Sequence, residues 1–212
     1  DGTGFEVVHE FTAIAAESPF ENEDGATPLV GLTDGGDGFL YGVATAGGQN
    51  GAGTVFSIDP NSLLFTVLHD FETPNGANPS GELIVASDSR LYGTTAAGGT
   101  DSSGTTTSFG TIYSIARDGT GFEKLYSFNG SEGSAPNGPL LQLDATTFVG
   151  VTFSGGRCGQ GTLFQYSSIG EKVEGNTGCG QKKKNQSGGG AFPPVMLLLL
   201  GGLALAGRRR RR

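Results

Sequence analysis

The most constraining feature of this sequence is a pattern of residues that recurs three times in the first 168 positions. In each copy a glycine follows a proline after 14 residues without a gap, and the pairs are Pro28 and Gly42, Pro79 and Gly93, and Pro136 and Gly150. Repeats of about 50 residues are typical of propeller blades or stacked arrays. The period therefore favours a repeat architecture over an ordinary single enzyme domain.

Each copy contains four short segments with the composition of β-strands. They are rich in Val, Ile, Phe, Tyr and Thr and are bounded by turn-forming residues. The first segment is 5–11, 65–71 and 122–128; the second is 29–32, 83–86 and 140–143; the third is 40–44, 91–95 and 148–152; the fourth is 53–58, 110–115 and 161–166. Before the C-terminal tail no window has the 3.6-residue apolar stripe of a helix. We therefore predict an all-β fold.

Four strands joined by short turns form a four-stranded antiparallel sheet, which needs neighbouring sheets to bury its faces. A unit of this size matches a propeller blade, so we predict tandem four-stranded antiparallel blades. A solenoid of stacked sheets is the alternative. The 39 glycines fit either architecture, because tight turns and close sheet approaches need residues that tolerate positive φ.

The phase of the repeat predicts how complete each sheet is. If a sheet begins at the proline-led segment, the sheets extend over 28–71 and 79–128, and the third, over 136–166, lacks its last strand. Residues 5–11 form an isolated segment of that missing type. A closed ring uses about 4–8 blades, and the chain begins at Asp1 without Met or a signal peptide. We therefore expect a partial β-propeller that is the C-terminal fragment of a longer protein.

Three regions follow along the chain. Residues 1–168 hold the three tandem β-repeats, with approximate bounds 1–58, 59–115 and 116–168. Residues 169–190, rich in Gly, Lys and Ser, lack apolar periodicity and are expected to form a flexible spacer. Residues 191–212 are predicted to form one transmembrane helix, with sorting or anchoring as its role, followed by an arginine tail.

Three motifs resemble those of the GloVer tandem-repeat proteins, described as choice-of-anchor surface proteins. They are Leu-Tyr-Gly-Thr-Thr at 91–95 followed by Gly98-Gly99, Gly-Thr-Val-Phe-Ser-Ile at 53–58, and Val-Leu-His-Asp-Phe at 67–71. The resemblance covers residues 1–168, and the third copy departs from it with Phe148-Val149 before its glycine. It implies a bacterial exported repeat protein with no assigned catalysis.

The tail combines a short apolar run with a basic end. The apolar stretch 191–207 has 17 residues, at the short limit for a membrane span. Five arginines follow it: Arg208, Arg209, Arg210, Arg211 and Arg212. These charges would stay cytoplasmic and place the repeats outside the cell. A buried core helix is the alternative, but it does not explain the arginines.

The same tail resembles the GlyGly-CTERM sorting signal. The resemblance implies cleavage near Gly188, Gly189 and Gly190 by a rhombosortase-like intramembrane protease. The expected partners are therefore the membrane and this protease, and the expected location is the cell surface or the medium. A related myxobacterial signal has a Cys ahead of its span, and Cys179 leaves that version open.

Charge is distributed unevenly along the chain. Residues 1–168 contain four basic and nineteen acidic residues, which leaves a net charge of −15. Such a surface repels phosphate backbones, so we expect no nucleic-acid partner. Solubility outside the cell explains the acidity more simply.

The two cysteines, Cys158 and Cys179, are predicted to form a disulfide. Their even number and the expected export favour this pairing. It would join the spacer to the last repeat. Lipidation of Cys179 is the competing hypothesis.

The residues that could carry chemistry follow the repeat. His9 and His69 occupy the same repeat position, which Tyr126 takes in the third copy, so a packing role is favoured over catalysis. The Asp34–Asp37 segment lacks the later ligands of an EF-hand calcium loop and is better explained as an Asp-Gly hairpin turn. The Gly-Gly loops have no following helix or Lys-Ser/Thr pair to complete a phosphate site. We therefore predict no catalytic, cofactor-binding or metal-binding residues.

Two functional hypotheses remain. The first is a non-enzymatic exported repeat protein that binds or scaffolds at the bacterial surface. The alternative is a propeller-type lyase or glycan-processing enzyme, whose site would lie at a ring centre in blades outside this chain. Such a site would need residues that break the repeat.

Overall fold

Strands in three antiparallel sheets make up the part of the chain that the structure, a computed structural model, describes: residues 4–170. No helix occurs among these residues. The prediction of an all-β fold is therefore confirmed for this part of the chain. The predicted transmembrane helix over 191–212 lies outside it.

The strands follow one another in sequence order from sheet to sheet. Sheet 1 contains β1 (Thr33–Asp34), β2 (Leu40–Ala44), β3 (Thr54–Ile58) and β4 (Phe65–Asp70). Sheet 2 contains β5 (Ala77–Pro79), β6 (Ile84–Val85), β7 (Leu91–Ala97), β8 (Thr111–Ile115) and β9 (Glu123–Ser127). Sheet 3 contains β10 (Ser134–Pro136), β11 (Leu141–Gln142), β12 (Thr147–Ser154) and β13 (Thr162–Ser167).

The three sheets are copies of one design. In sheet 2, β5 and β6 lie end to end along one edge of β7, while β8 and then β9 follow on the other edge. In sheet 3, β10 and β11 share one edge of β12 in the same way, and β13 pairs with the other edge. Among the described residues nothing occupies the position next to β13 that β4 and β9 hold in the other sheets. The prediction that the third sheet lacks its last strand agrees with this arrangement.

The prediction of a strand over residues 5–11 is wrong. These residues form no strand in the structure, whereas the equivalent segments form β4 and β9. The physical reason is that an extended segment becomes a strand only when its backbone groups pair with a neighbour. Within residues 4–170 the strands of its own sheet are not present to pair with it.

The aromatic-glycine motif has a packing cause. Gly93 in β7 lies directly opposite Tyr113 in β8, and the ring covers the glycine so closely that a Cβ there would come within 2.5 Å of the Tyr113 hydroxyl. Gly42 lies opposite Phe56 and Gly150 lies opposite Phe164. A Cβ added at either glycine would come within 2.5 Å of Cζ of the facing ring. Each repeat therefore needs a glycine at this position so that an aromatic ring can lie across the strand.

Hydrogen bonds at equivalent positions join each sheet to the next. The Asn78 N–H donates to the Ala52 carbonyl at 2.8 Å, and the Ala135 N–H donates to the Phe109 carbonyl at 3.0 Å. Asn78 and Ala135 both have positive φ, of 55° and 52°, which turns each N–H toward the preceding sheet. The same backbone geometry thus sets both junctions.

Two hydrophobic clusters fill these junctions. The first joins Tyr41, Val43 and Val55 of sheet 1 to Leu83 and Tyr113 of sheet 2. The second joins sheet 2 to sheet 3 and includes Tyr92, Ile112, Phe128, Leu140 and Phe148. Both faces of sheet 2 are therefore covered by neighbouring sheets.

Candidate functional site

An aromatic contact recurs where the outer strand of one sheet meets the next sheet. The His69 ring of β4 stacks on Phe122, with centroids 3.8 Å apart and an interplanar angle of 8°. His9 stacks on Phe65 in the same way, at 3.8 Å and 5°. Tyr126 does not repeat this stack, since its ring lies 6.3 Å from Tyr166 at an interplanar angle of 53°. All three rings share instead an edge contact with the phenylalanine two residues further on, which is Phe11, Phe71 or Phe128. The three positions singled out for possible chemistry thus share a packing role.

His9 also takes part in a polar cluster around Asp24, and the third repeat has a counterpart in which the Tyr126 hydroxyl donates to the Glu132 carboxylate. Its Nε2 lies 2.9 Å from Oδ2 of Asp24. The Asp24 carboxylate is buried and accepts hydrogen bonds from the Thr12 N–H and hydroxyl and from the Asn22 amide. The carboxylate therefore ties the N-terminal segment, residues 5–11, and the loop after it to sheet 1.

The hydrogen bonds determine the charge state of Asp24. Burial acts to raise its pKa, but the hydrogen bonds from Thr12 and the interaction with His9 outweigh that effect, so the pKa lies below the ordinary value of 3.8. The carboxylate is therefore ionised at neutral pH and acts only as a hydrogen-bond acceptor. A His–Asp pair of this kind can orient an imidazole toward a nucleophile. The only hydroxyl in this cluster of described residues is that of Thr12, and it donates to Asp24 instead of to His9.

His69 occupies the equivalent position without an acidic partner. Its Nε2 is buried and has no hydrogen-bond partner among the described residues. Burial lowers the pKa of His69 below the ordinary value of 6.5. The ring is therefore neutral at neutral pH, and its contribution comes from stacking on Phe122 and from its edge contact with Phe71.

The segment considered as a calcium loop forms the turn between β1 and β2. Asp34 accepts a hydrogen bond from the Gly36 N–H at 2.8 Å, and Asp37 accepts one from the Phe39 N–H at 3.1 Å. These bonds close the turn by the side-chain pattern expected of Asp at such positions. Within residues 4–170 no three His, Cys, Asp or Glu side chains are grouped so as to hold a metal ion.

A second role of Asp37 is to link two sheets. Its Oδ2 accepts a hydrogen bond from the Tyr41 hydroxyl at 2.8 Å and forms an ion pair with Arg117 of sheet 2 at 3.3 Å. Burial and the Asp37 carboxylate raise the pKa of Tyr41 to about 12. In sheet 2, Asp88 accepts from Tyr92 at 2.8 Å, and the pKa of Tyr92 is likewise raised to about 12 by burial and this bond. The aspartates thus anchor a tyrosine in sheets 1 and 2, and the equivalent residue in sheet 3 is Phe148.

One concavity of the described residues is shallow and acidic. It has a volume of about 710 Å³ and is lined by Ala15, Glu21, Asn22, Glu23 and Gln49. Its two glutamates would repel an anionic ligand. Asn22 is already engaged, because its amide donates to the Gly25 carbonyl at 2.6 Å. The lining therefore disfavours anions through its glutamates and holds Asn22 in place for the fold.

The most conspicuous surface feature is one apolar face of sheet 3, which we call the open face. It is formed by Leu141, Val151, Phe153 and Leu163, all exposed. Leu163 is 79% exposed, whereas the equivalent Val55 and Ile112 are 0% and 1% exposed, because the next sheet covers them. Large apolar patches of this kind mark interaction surfaces. This face was not predicted from the sequence, because an alternating pattern of apolar residues is equally typical of a buried core.

The remaining predicted site residues lie outside the described residues, apart from Cys158. Cys158 follows the Gly155–Gly156 loop of sheet 3; the predicted partner Cys179, the predicted cleavage region at 188–190 and the arginines at 208–212 are not described. The disulfide, the cleavage and the membrane topology therefore stay predictions. A search of residues 4–170 for a helix long and apolar enough to span a membrane finds none.

Comparison with known proteins gives one match. No curated protein matches the chain. The model of the Gloeobacter/Verrucomicrobia repeat family matches residues 1–109, which is more than half of the sequence and includes all of sheet 1 and β5, β6 and β7 of sheet 2. Together with the strand pattern that recurs from sheet to sheet, this match establishes that the chain belongs to the Gloeobacter/Verrucomicrobia repeat family.

Proposed function

We propose that this chain is part of an exported bacterial repeat protein whose sheets form a non-enzymatic binding or scaffold module at the cell surface. The observation that carries the proposal is the use of the histidine position. His9, His69 and Tyr126 each make an edge contact with the phenylalanine two residues further on, and a catalytic group is not expected to recur once per sheet. The role of these residues is to join sheets, which suits a scaffold.

The surface charge supports a location outside the cell. A net charge of −15 over residues 1–168 keeps an exported domain soluble and disfavours binding to nucleic acid. It also favours ligands that are neutral, cationic or apolar. The open face of sheet 3 supplies an apolar surface of that kind.

The sheets are proposed to be blades of a β-propeller. Support comes from their strand order, in which one or two short strands and two central strands follow each other in sequence, with an outer strand after them in sheets 1 and 2. Further support comes from the burial of both faces of sheet 2 between its neighbours. Additional repeats would complete the ring.

The tail is proposed to direct export and sorting. The short apolar run 191–207 holds the chain in the membrane, and Arg208–Arg212 keep its end cytoplasmic. A rhombosortase-like protease then cuts near Gly188–Gly190, where glycines leave the backbone easy to extend.

The proposal is tested by following the chain in a bacterium that makes the sorting protease. The C-terminal peptide of surface-exposed or released protein is identified by mass spectrometry, after biotinylation of intact cells. We expect a C-terminus near Gly188–Gly190 and loss of surface protein when Arg208–Arg212 are deleted. Protein that stays inside the cell would contradict export, and surface protein that retains Arg212 would contradict sorting by cleavage.

A further inference from the structure

One backbone position near the histidine position recurs in all three repeats. It is the residue before a glycine with positive φ, and its carbonyl accepts a hydrogen bond from the threonine that begins β3, β8 or β13. The donor and acceptor residues are Thr54 and Asp24 at 3.2 Å, Thr111 and Asn75 at 3.4 Å, and Thr162 and Glu132 at 2.9 Å. Asp24, Asn75 and Glu132 are therefore structural equivalents, and we call their place the pre-glycine position.

In the first and third repeats the pre-glycine position holds a carboxylate. Oδ2 of Asp24 lies 2.9 Å from Nε2 of His9, and Glu132 accepts a hydrogen bond from the Tyr126 hydroxyl. The polar atom of each ring at the histidine position is thus paired with an acidic side chain from the same place in its repeat.

The second repeat lacks this pair. Its pre-glycine position holds an amide, and Nδ2 of Asn75 donates to Oε1 of Glu72 at 2.8 Å. Nε2 of His69 is buried and has no hydrogen-bond partner among the described residues. The amide at the pre-glycine position therefore leaves the imidazole of His69 without the carboxylate that the equivalent rings have.

His69 lies inside the junction between sheets 1 and 2. In β4 it pairs with Val55 of β3, and its ring stacks on Phe122 of sheet 2 at 3.8 Å and makes an edge contact with Phe71 at 5.0 Å. Both sheets that enclose the ring lie within residues 4–170. The lack of a partner is therefore a property of this junction and not of either end of the row of sheets.

The charged side chains on the described elements packed against His69 do not compensate for its burial. They are Asp70 on β4, Glu72 in the loop that follows, and Glu123 and Lys124 on β9, whereas β3 and β8 carry none. The Lys124 ammonium is engaged by a backbone carbonyl and a hydroxyl. Burial outweighs the favourable effect of Asp70 and Glu72 on the charged ring, so the pKa of His69 lies below 6.5.

The same junction encloses a second polar atom without a partner. The Tyr113 hydroxyl is buried and has no hydrogen-bond partner among the described residues, and the Tyr113 ring lies 5.0 Å from that of Phe71. The equivalent residues in the other repeats are Phe56 and Phe164, which have no hydroxyl. Because buried polar groups without partners destabilise a fold, this junction is less stable than its apolar contacts alone would make it.

Protonation of His69 would weaken the junction further. An imidazolium carries a hydrogen on both ring nitrogens, so Nε2 would become a buried donor without an acceptor, in surroundings that disfavour a charge. Because the pKa of His69 is lowered in the folded state, the opened state binds the proton more readily. The stability of the junction is therefore complete above pH 6.5 and decreases as the pH falls toward the folded pKa.

We propose that the junction between sheets 1 and 2 is an acid-sensitive switch, in which protonation of His69 separates its ring from Phe122 and loosens the two sheets. Asn75 makes the switch possible, because a carboxylate at its position would bind the charged ring. The proposal goes beyond the scaffold role and does not depend on export, since it uses only contacts within residues 4–170.

The test converts the second repeat into the form of the first. Asn75→Asp places a carboxylate at the pre-glycine position beside His69, and the exposed Glu72 can turn toward solvent. Asn137→Asp is the matched control, because it adds the same charge at an exposed position of the third repeat. His69→Phe removes the titrating group and keeps an aromatic ring in the stack. All variants are measured as the full chain in a non-ionic detergent.

The first measurement follows the protonation of His69 through its ring proton signals in an NMR titration from pH 8 to pH 4. The chain has two histidines, and the signal absent from His69→Phe identifies the relevant one. We expect a pKa below 6.5 in the wild type and in Asn137→Asp. In Asn75→Asp we expect a pKa above 6.5, because the carboxylate stabilises the imidazolium. The same pKa in Asn75→Asp as in the wild type overturns the proposal.

The second measurement is amide hydrogen exchange, with rates corrected for the pH dependence of exchange in free peptides. Peptides that cover β4 and β9 report on the junction, and a peptide that covers β12 is the internal reference. In the wild type we expect the protection of β4 and β9 relative to β12 to fall at least about threefold between pH 7.5 and pH 5. Asn137→Asp should behave like the wild type, while Asn75→Asp and His69→Phe should show no such fall.

Two results of the exchange experiment would overturn the proposal. The first is a relative protection of β4 and β9 that stays constant with pH in the wild type, because the junction would then not respond to acid. The second is an equal fall in His69→Phe, because a group other than His69 would then control the junction.

Discussion

Sheets 2 and 3 have the same strand order but different surroundings. Sheet 2 lies between two neighbours, and its apolar residues are buried on both faces. Among residues 4–170, sheet 3 has a neighbour on one face only, and its other face exposes Leu141, Val151, Phe153 and Leu163. The difference shows that a residue's position in the row of sheets decides whether it is buried. Equivalent residues form core where another sheet packs against them and form surface where none does.

The largest expected effect contrasts two equivalent apolar side chains. Ile112→Ala should lower the free energy of unfolding by about 2–5 kcal/mol, because it leaves a cavity in the junction with sheet 3. Leu163→Ala at the equivalent position should change it by less than about 0.5 kcal/mol. Urea denaturation followed by circular dichroism measures both. Similar losses for the two variants would mean that the open face is covered in solution.

A second contrast concerns the glycines. Gly93→Ala should destabilise the fold by about 1–3 kcal/mol, since the added methyl would meet the Tyr113 ring at 2.6 Å. Gly138→Ala is the matched control, because there a Cβ meets only the flexible end of Val151, at 3.4 Å. Its unfolding midpoint should remain close to that of the wild type. Equal tolerance of both changes would contradict the packing cause of the aromatic-glycine motif.

The polar cluster around Asp24 predicts that the stability of the fold depends on pH. Because the pKa of Asp24 is lowered on folding, its stabilising contribution is complete above the unfolded pKa of about 3.8 and is lost as the pH falls through the folded pKa. Asp24→Asn should therefore cost about 1.5 kcal/mol at pH 7 and progressively less below pH 3.8. Glu23→Gln, an exposed neighbour, is the control. Thermal melts from pH 7 to pH 2.5 measure the difference, and a cost that does not change with pH would refute the ionic role.

The smallest expected effect is a gain in the free energy of unfolding. His69→Phe should stabilise the protein by about 1 kcal/mol, because it keeps the stack on Phe122 and removes a buried nitrogen without a partner. The pKa of His69 is lowered on folding, so the unfolded chain binds its proton more readily and the gain should grow as the pH falls below 6.5. Melting temperatures at pH 8 and pH 5 test this. A loss at both values would show that the imidazole has a polar role.

Much of the fold could be predicted from the sequence because each repeat contains its own short strand-forming segments, bounded by turn residues. The third and fourth segments became β2 and β3, β7 and β8, and β12 and β13 with bounds that differ by at most two residues. The failure at residues 5–11 has a physical reason, since strand composition does not supply a pairing partner.

The candidate surfaces were harder to foresee. Asp24 lies 15 residues from His9, whereas its counterpart Glu132 lies six residues from Tyr126, so no constant spacing pointed to their contact. Leu163 has the composition of a core residue, and only the missing fourth segment hinted that its face is open. Packing between sheets is a long-range property, and local sequence patterns do not encode which face lacks a neighbour.

The most direct test of this contrast between sheets is amide hydrogen exchange of the intact chain at low concentration. Peptides that cover β8 and β13 report on the same strand position in two settings. We predict that β8, paired on both edges and covered on both faces, exchanges at least about a hundredfold more slowly than β13. Equal protection of the two strands would contradict the account, because it would mean that β13 already has the neighbour that the open face and free edge are said to lack.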